Sequence, residues 1–236
     1  MRMSKGFTLI EIAIVLVIVG LLLGSVLKGQ ELINASRVRN IATTLDSIKI
    51  AYLGFQDRYR AYPGDVPDAV AAATIPNSPA VGGGCGVAGG FCGNGEIDPA
   101  ENLVVWMQIA RSGFINDTYG GSVGAAQSVF QPTNPSNSPG NPFGGFYVVV
   151  HDSDYGDALS TTPAKLLNVK TGGGLPSGVV AEIDRKVDDG NAGTGPFRAT
   201  ITYGGQAAGC TVGANGTSTL AYANIDIKSC GGVAIQ

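Results

Sequence analysis

Glu11 is the first side chain with chemistry to explain, because it is the one charged group between Phe7 and Leu27 in an otherwise apolar run. A carboxylate within an apolar helix costs roughly 2.5–3.5 kcal/mol on membrane-insertion scales, so it needs a reason and a partner. Two readings follow. Either Glu11 sits at a membrane interface on a helix that starts late, or it pairs with a positive group at the same depth; a chain cut after Gly6 offers the new amino group of Phe7 on a neighbouring copy. Further along, Gly93-Asn94-Gly95-Glu96-Ile97-Asp98-Pro99-Ala100-Glu101 has the layout of the second half of a calcium loop. With Gly90 as position 1, Asn94 falls at 5, Gly95 at the sharp turn, Asp98 at 9 and Glu101 at 12. Positions 1 and 3 are Gly90 and Cys92, so two oxygen ligands are missing, and Asp65 or Asp68 would have to supply them. The same residues also read as a helix cap, with Asp98 before Pro99 and Glu101 three residues on. Asp184, Asp188 and Asp189 ahead of Gly190 form either an acidic turn or a second cation site.

Other chemistries find little support. The four cysteines, at 85, 92, 210 and 230, fit an oxidising compartment and two disulfides, for which three connectivities exist. Cys85 with Cys92 and Cys210 with Cys230 are preferred, since each pair is close in sequence and encloses Gly-rich chain. There is no CxxC and His151 is the only histidine, which sets zinc aside. The GxGxxG match at Gly84 to Gly89 follows Pro76-Asn77-Ser78-Pro79 rather than a strand. The GxSxG match around Ser122 has nothing to bring His151 and Asp152 to that serine, so no catalytic activity is expected. With 15 Lys plus Arg against 18 Asp plus Glu, no basic surface for nucleic acid is indicated.

These residues must be positioned by a small set of elements. Residues 7–27 are long and apolar enough to cross a bilayer as a helix. Arg2 and Lys5 on the short side favour a cytoplasmic N-terminus and an exported C-terminus. Beyond the span, Val38, Ile41, Leu45, Ile48, Tyr52, Phe55, Tyr59 and Tyr62 recur at steps of three and four, a one-faced helical stripe. The helix is expected to run to about Tyr59 and stop before Pro63-Gly64, roughly 80 Å of rod, with Gly20, Gly24 and Gly29 as places where it can loosen. After it come a turn at 62–67, a loop at 76–90 and a helix over 99–112 ending at Gly113. A loop at 131–145, strands over 146–150, 199–203 and 220–227, and short helices over 165–169 and 179–187 complete the expected order. The expected fold class is α+β, a long N-terminal helix whose stripe packs across a small antiparallel sheet. Its parts are a leader (1–6), the long helix (7–61, with 7–27 in the membrane) and a globular domain (62–236).

The stretch Lys5-Gly6-Phe7-Thr8-Leu9-Ile10-Glu11 resembles the leader-peptidase site of type IV prepilins and type II secretion pseudopilins. The resemblance implies cleavage between Gly6 and Phe7 by prepilin peptidase, methylation of the Phe7 amino group, and a role for Glu11 in setting the axial register between subunits. It further implies a filament of pilin or pseudopilin subunits, with an inner-membrane platform protein and an assembly ATPase as partners. The family often has a helix breaker, commonly Pro, after the span, and this chain has none there. The close match covers residues 5 to about 35. An exported, membrane-tethered binding protein using the loops at 76–92 and 131–145 is the other function class.

Overall fold

Helix α1 (Leu9–Tyr59) runs unbroken through Gly20, Gly24 and Gly29 in the computed structural model, which describes residues 8–77, 92–99, 101–120, 135–201, 209–224 and 227–236. The chain forms two compact units, residues 1–39 and residues 40–236. In the first, every described residue from Thr8 to Lys28 is exposed, and the helix carries a mean hydropathy of 2.8 in its most apolar window, none of which is buried. Length and composition suffice to span a bilayer.

In the second unit, the later turns of α1 bury Ile41, Leu45, Ile48, Tyr52 and Phe55, the stripe expected from their spacing; Val38 is buried as well. The helix closes at Tyr59 with Arg60 in the left-handed region (φ 55°). A turn then follows, Tyr62-Pro63-Gly64-Asp65, in which Asp65 N–H donates to Tyr62 O at 3.2 Å and Gly64 takes φ 94°. Pro second and Gly third are what a type II turn requires. Helix α2 (Asp68–Thr74) is short and largely exposed.

Helix α3 (Asn102–Arg111) is the centre of the core, with Leu103, Val104, Val105, Trp106, Met107 and Ile109 all buried. It ends where Gly113 (φ 80°) donates to Ala110 O and Phe114 to Ile109 O, a Schellman closure. The Phe114 ring lies 6.5 Å from that of Phe55 on α1, and Arg58 donates to Ser112 O at 3.4 Å. Gly54 leaves room for that ring, since a Cβ there would lie 2.7 Å from Phe114 Cε1.

The main sheet is antiparallel throughout, in the order β1 (Val148–Asp152), β2 (Leu166–Lys170), β6 (Gly232–Ile235), β3 (Phe197–Ala199). Helix α3 packs against β1, while α4 (Ser177–Val187) packs against β3 and against the hairpin β4 (Thr211–Val212) and β5 (Ala221–Tyr222). The α+β class is therefore as expected, and four details differ. The expected helix at 165–169 is the strand β2. Its apolar Leu167 and Val169 face one side and Asn168 and Lys170 the other, and both sides are buried, so exposure does not follow the alternation. The strand expected over 146–150 starts and ends two residues later. The strand expected from Ala199 instead begins at Phe197 and ends at Ala199. The expected last strand reduces to β5, and the true last strand, β6, lies between β2 and β3. Gly232 is needed in that strand: a Cβ there would sit 2.2 Å from Phe197 Cζ.

Candidate functional site

The N-terminal site is built on the first turn of α1. Gly6 and Phe7 lie outside the described residues. Thr8 N–H and Thr8 Oγ1 both donate to Glu11 Oε2, at 2.9 and 2.8 Å, and Glu11 N–H approaches Thr8 Oγ1 at 3.4 Å. This is a reciprocal capping box. It satisfies donors that the helix start would otherwise leave orphaned, which matters most where no water can replace them. The signal for it in the sequence is the T-x-x-E spacing of Thr8-Leu9-Ile10-Glu11. Past the apolar run, Lys28 and Glu31 pair at 2.6 Å on the exposed surface.

The second candidate site is an acidic loop ahead of α3, exposed at Gly93, Asn94 and Gly95 and anchored by the buried Asp65, Ile97 and Glu101. The Tyr62–Asp65 turn holds Asp65 (3% exposed) so that its carboxylate accepts the backbone N–H groups of Gly93, Asn94 and Gly95. The turn is locked against α3: Gly64 N–H donates to Gln108 Oε1 at 2.7 Å, and a Cβ on Gly64 would lie 2.8 Å from Val105 Cγ2. Asn94 Oδ1 accepts the Glu96 N–H at 2.8 Å and Asn94 Nδ2 donates to Asp98 Oδ2 at 3.0 Å. Glu101 is fully buried; its Oε2 accepts the Asp98 N–H at 2.8 Å, and its Oε1 has no hydrogen-bond partner. Burial first, then the nearby Asp65 and Asp98 carboxylates, push the Glu101 acid up to about 8 against the opposing pull of the Asp98 N–H and Lys165. Lys165 makes an ion pair with Glu96 and approaches Asp98 Oδ1 at 3.4 Å.

The structure thus brings Asn94, Asp98 and Glu101 together and adds Asp65, while Asp68 sits on α2. Of the helix-cap reading, the bond from the Asp98 N–H to Glu101 is formed, but α3 begins at Asn102, later than expected from Pro99, so Glu101 rather than Asp98 stands at its N-cap and no side-chain cap bond is made. His151 is engaged structurally. Its Nδ1 accepts the Ile97 N–H at 2.7 Å and its own N–H donates to Ile97 O at 2.8 Å, stitching the loop to β1. Burial depresses its basicity. Ser122, Cys85 and the Gly84–Gly89 stretch lie outside the described residues.

Asp184, Asp188 and Asp189 offer oxygens within 4.8 Å of one another. Their oxygens are engaged by donors from this chain. Tyr222 OH and Gly190 N–H go to Asp184, Phe197 N–H to Asp188, and Asn191 N–H and Thr194 Oγ1 to Asp189. These bonds fasten the end of α4 to β3 and β5. Burial raises the Asp184 acid to about 6. Of the two expected disulfides, Cys210–Cys230 is formed, and Cys92 is also disulfide-bonded.

Residues 1–27 match the family model described as the prokaryotic N-terminal methylation motif. No curated protein and no solved structure matches the chain. The N-terminal segment is therefore of the prepilin type, the kind carried by type IV prepilins and type II secretion pseudopilins, and with its single apolar helix it fits a membrane-anchored, single-pass precursor.

Proposed function

We propose that this protein is a structural subunit of a type IV pilus-like or type II secretion pseudopilus filament, cleaved by prepilin peptidase after Gly6 and N-methylated on Phe7. The observation that carries the reading is the methylation motif over residues 1–27 joined directly to a helix whose apolar side chains from Leu9 to Leu27 are all exposed. Such a surface needs either lipid or other copies of itself around it. Before assembly the subunit is stored in the inner membrane, N-terminus in the cytoplasm and residues 40–236 exported. A platform protein and an assembly ATPase then extract it, and bundling shields the helix at roughly 25 cal/mol per Å² of apolar surface. The Glu11 carboxylate meets the Phe7 amino group of a neighbour and sets the register.

The Thr8–Glu11 capping box favours one competing reading, an exported binding protein that is tethered and never polymerises, because it gives Glu11 work within its own helix. Glu11→Gln separates the two. Glutamine keeps a capping box but loses the charge, so a tether is unaffected. A filament subunit is expected to lose about tenfold or more of its assembled yield, the scale set by a charge pair worth upward of ~1.4 kcal/mol. Mass spectrometry of the N-terminal peptide from sheared-surface and membrane fractions of the native host completes the test. Methylated Phe7 in the sheared fraction identifies an assembled pilus, and the same terminus confined to membranes identifies a pseudopilin or rare subunit. An uncut Met1 in both overturns the filament reading.

A further inference from the structure

We propose that the loop over residues 94–101, together with Asp65, is a binding site for one calcium ion. Asp65, Asn94, Asp98 and Glu101 are its side-chain ligands, and Glu96 contributes a main-chain oxygen. The geometry that points there is the Glu101 carboxylate: fully buried, anchored through Oε2 on the Asp98 N–H, and left with Oε1 unpartnered beside the loop. A buried acceptor without a donor is rare and calls for a missing partner.

The surroundings say which kind of partner. Four acidic side chains, Asp65, Glu96, Asp98 and Glu101, meet one described cation, Lys165, whose ammonium reaches Glu96 and Asp98 and leaves Glu101 Oε1 unserved. The register from Asn94 to Glu101 is that of positions 5 to 12 of a calcium loop, and Gly95 adopts the left-handed turn (φ 82°) required at position 6. That register lacks acids at positions 1 and 3. Asp65, brought by the turn after α1 and clasped by three loop N–H groups, supplies a carboxylate from 28 to 30 residues away in sequence. The donors are all oxygen. His151 Nδ1 is taken by Ile97 N–H and Cys92 is in a disulfide, so the site suits a hard cation, and its mix of carboxylate, amide and main-chain oxygens suits calcium better than a small octahedral ion. This inference stands independently of the filament reading.

The test uses the detergent-solubilised full chain, stripped with EDTA and titrated with CaCl2 by calorimetry, with thermal unfolding in parallel. The expected result is one calcium per chain, bound at about 0.1–1 mM or tighter as in extracellular modules, and a Tm that rises with calcium but not with equal magnesium. Glu101→Gln is expected to bind at least about tenfold more weakly and to lose the calcium-dependent rise, since the charged ligand at position 12 is gone. In EDTA its Tm is equal to or above that of the parent, because an amide replaces a buried acid; a purely structural role for Glu101 would lower it. Asp98→Asn is the second variant and weakens calcium in the same way, whereas Asp184→Asn leaves the response intact. Absence of heat and of any Tm rise up to about 10 mM calcium, well above that affinity range, overturns the proposal. So does a full response in both loop variants, or a loss confined to Asp184→Asn.

Discussion

Lys170 shows how much of this fold rests on single polar side chains. Its side chain is fully buried in β2, and its ammonium reaches Asp152 at the end of β1 at 2.6 Å and Asp154 just beyond it at 3.1 Å. Asn168, two residues earlier, donates its Nδ2 to the Asp152 carbonyl and carboxylate, while its Oδ1 is buried without a hydrogen-bond partner. Removing the cation breaks a buried ion pair, a change that typically costs about 3–5 kcal/mol. Lys170→Ala is expected to lose stability on that scale in urea unfolding of the detergent-solubilised chain. A loss under about 1 kcal/mol, the scale of an exposed pair, would mean the pair is effectively solvated. Nothing in Leu166-Leu167-Asn168-Val169-Lys170 announces this: a lysine at a strand end reads as a solvent-facing residue until its partners are known.

At the scale of elements, the link between α1 and α3 is the decisive joint. The turn after α1 packs Gly64 against Val105 and presents Asp65 to the loop ahead of α3, so one tight turn positions both helices and the acidic site. Two glycine substitutions separate backbone strain from packing here. Gly95 has φ 82° with nothing near its missing Cβ, so Gly95→Ala costs the strain alone, about 1 kcal/mol. Gly64→Ala adds a clash with Val105 and with the Glu101 carbonyl to the same kind of strain, and is expected to cost at least about 2–3 kcal/mol. Equal losses in thermal unfolding would show that the turn is not pressed onto α3. The Pro-Gly pair made this turn legible in advance, and the Gly113 closure of α3 likewise. The partner surfaces that make Gly64 indispensable were not legible, because Val105 lies far along the chain.

For the molecule as a whole, the two units are held by different physics. Residues 40–236 bury Trp106, Tyr147, Tyr155, Phe55 and Phe197 completely, an ordinary core closed by the Cys210–Cys230 bridge. In the first unit the apolar side chains from Leu9 to Leu27 are exposed, so their surroundings must supply the apolar solvent. The full-length chain is accordingly expected to stay in the membrane pellet after alkaline carbonate extraction. Val17→Lys combined with Leu21→Lys, at roughly 2.5–3.5 kcal/mol for each charge at mid-span, is expected to release it. Release of the unmodified chain would contradict a membrane-spanning helix.

The sequence by itself determined the parts of this protein governed by short-range spacing. These are the motif of residues 5–11, the apolar run and the three-four stripe of α1, and the Pro-Gly stop after it, whereas Cys210–Cys230 was one of three pairings until the structure formed it. Each depends on residues a few turns or one loop apart, where helical period, turn chemistry and chain connectivity leave little choice. Tertiary structure alone decided the rest. It made residues 166–170 a strand, because β1 and β6 flank them on both sides, and it placed Gly232–Ile235 at the sheet's interior, where Phe197 crosses over the glycine. It also brought Asp65 to the loop at 93–95 and buried Glu101 with one oxygen unpaired. These outcomes turn on pairings between distant segments, for which local pattern carries no information: strand identity is set by the neighbours available, and a carboxylate's role by what surrounds it once the core has closed.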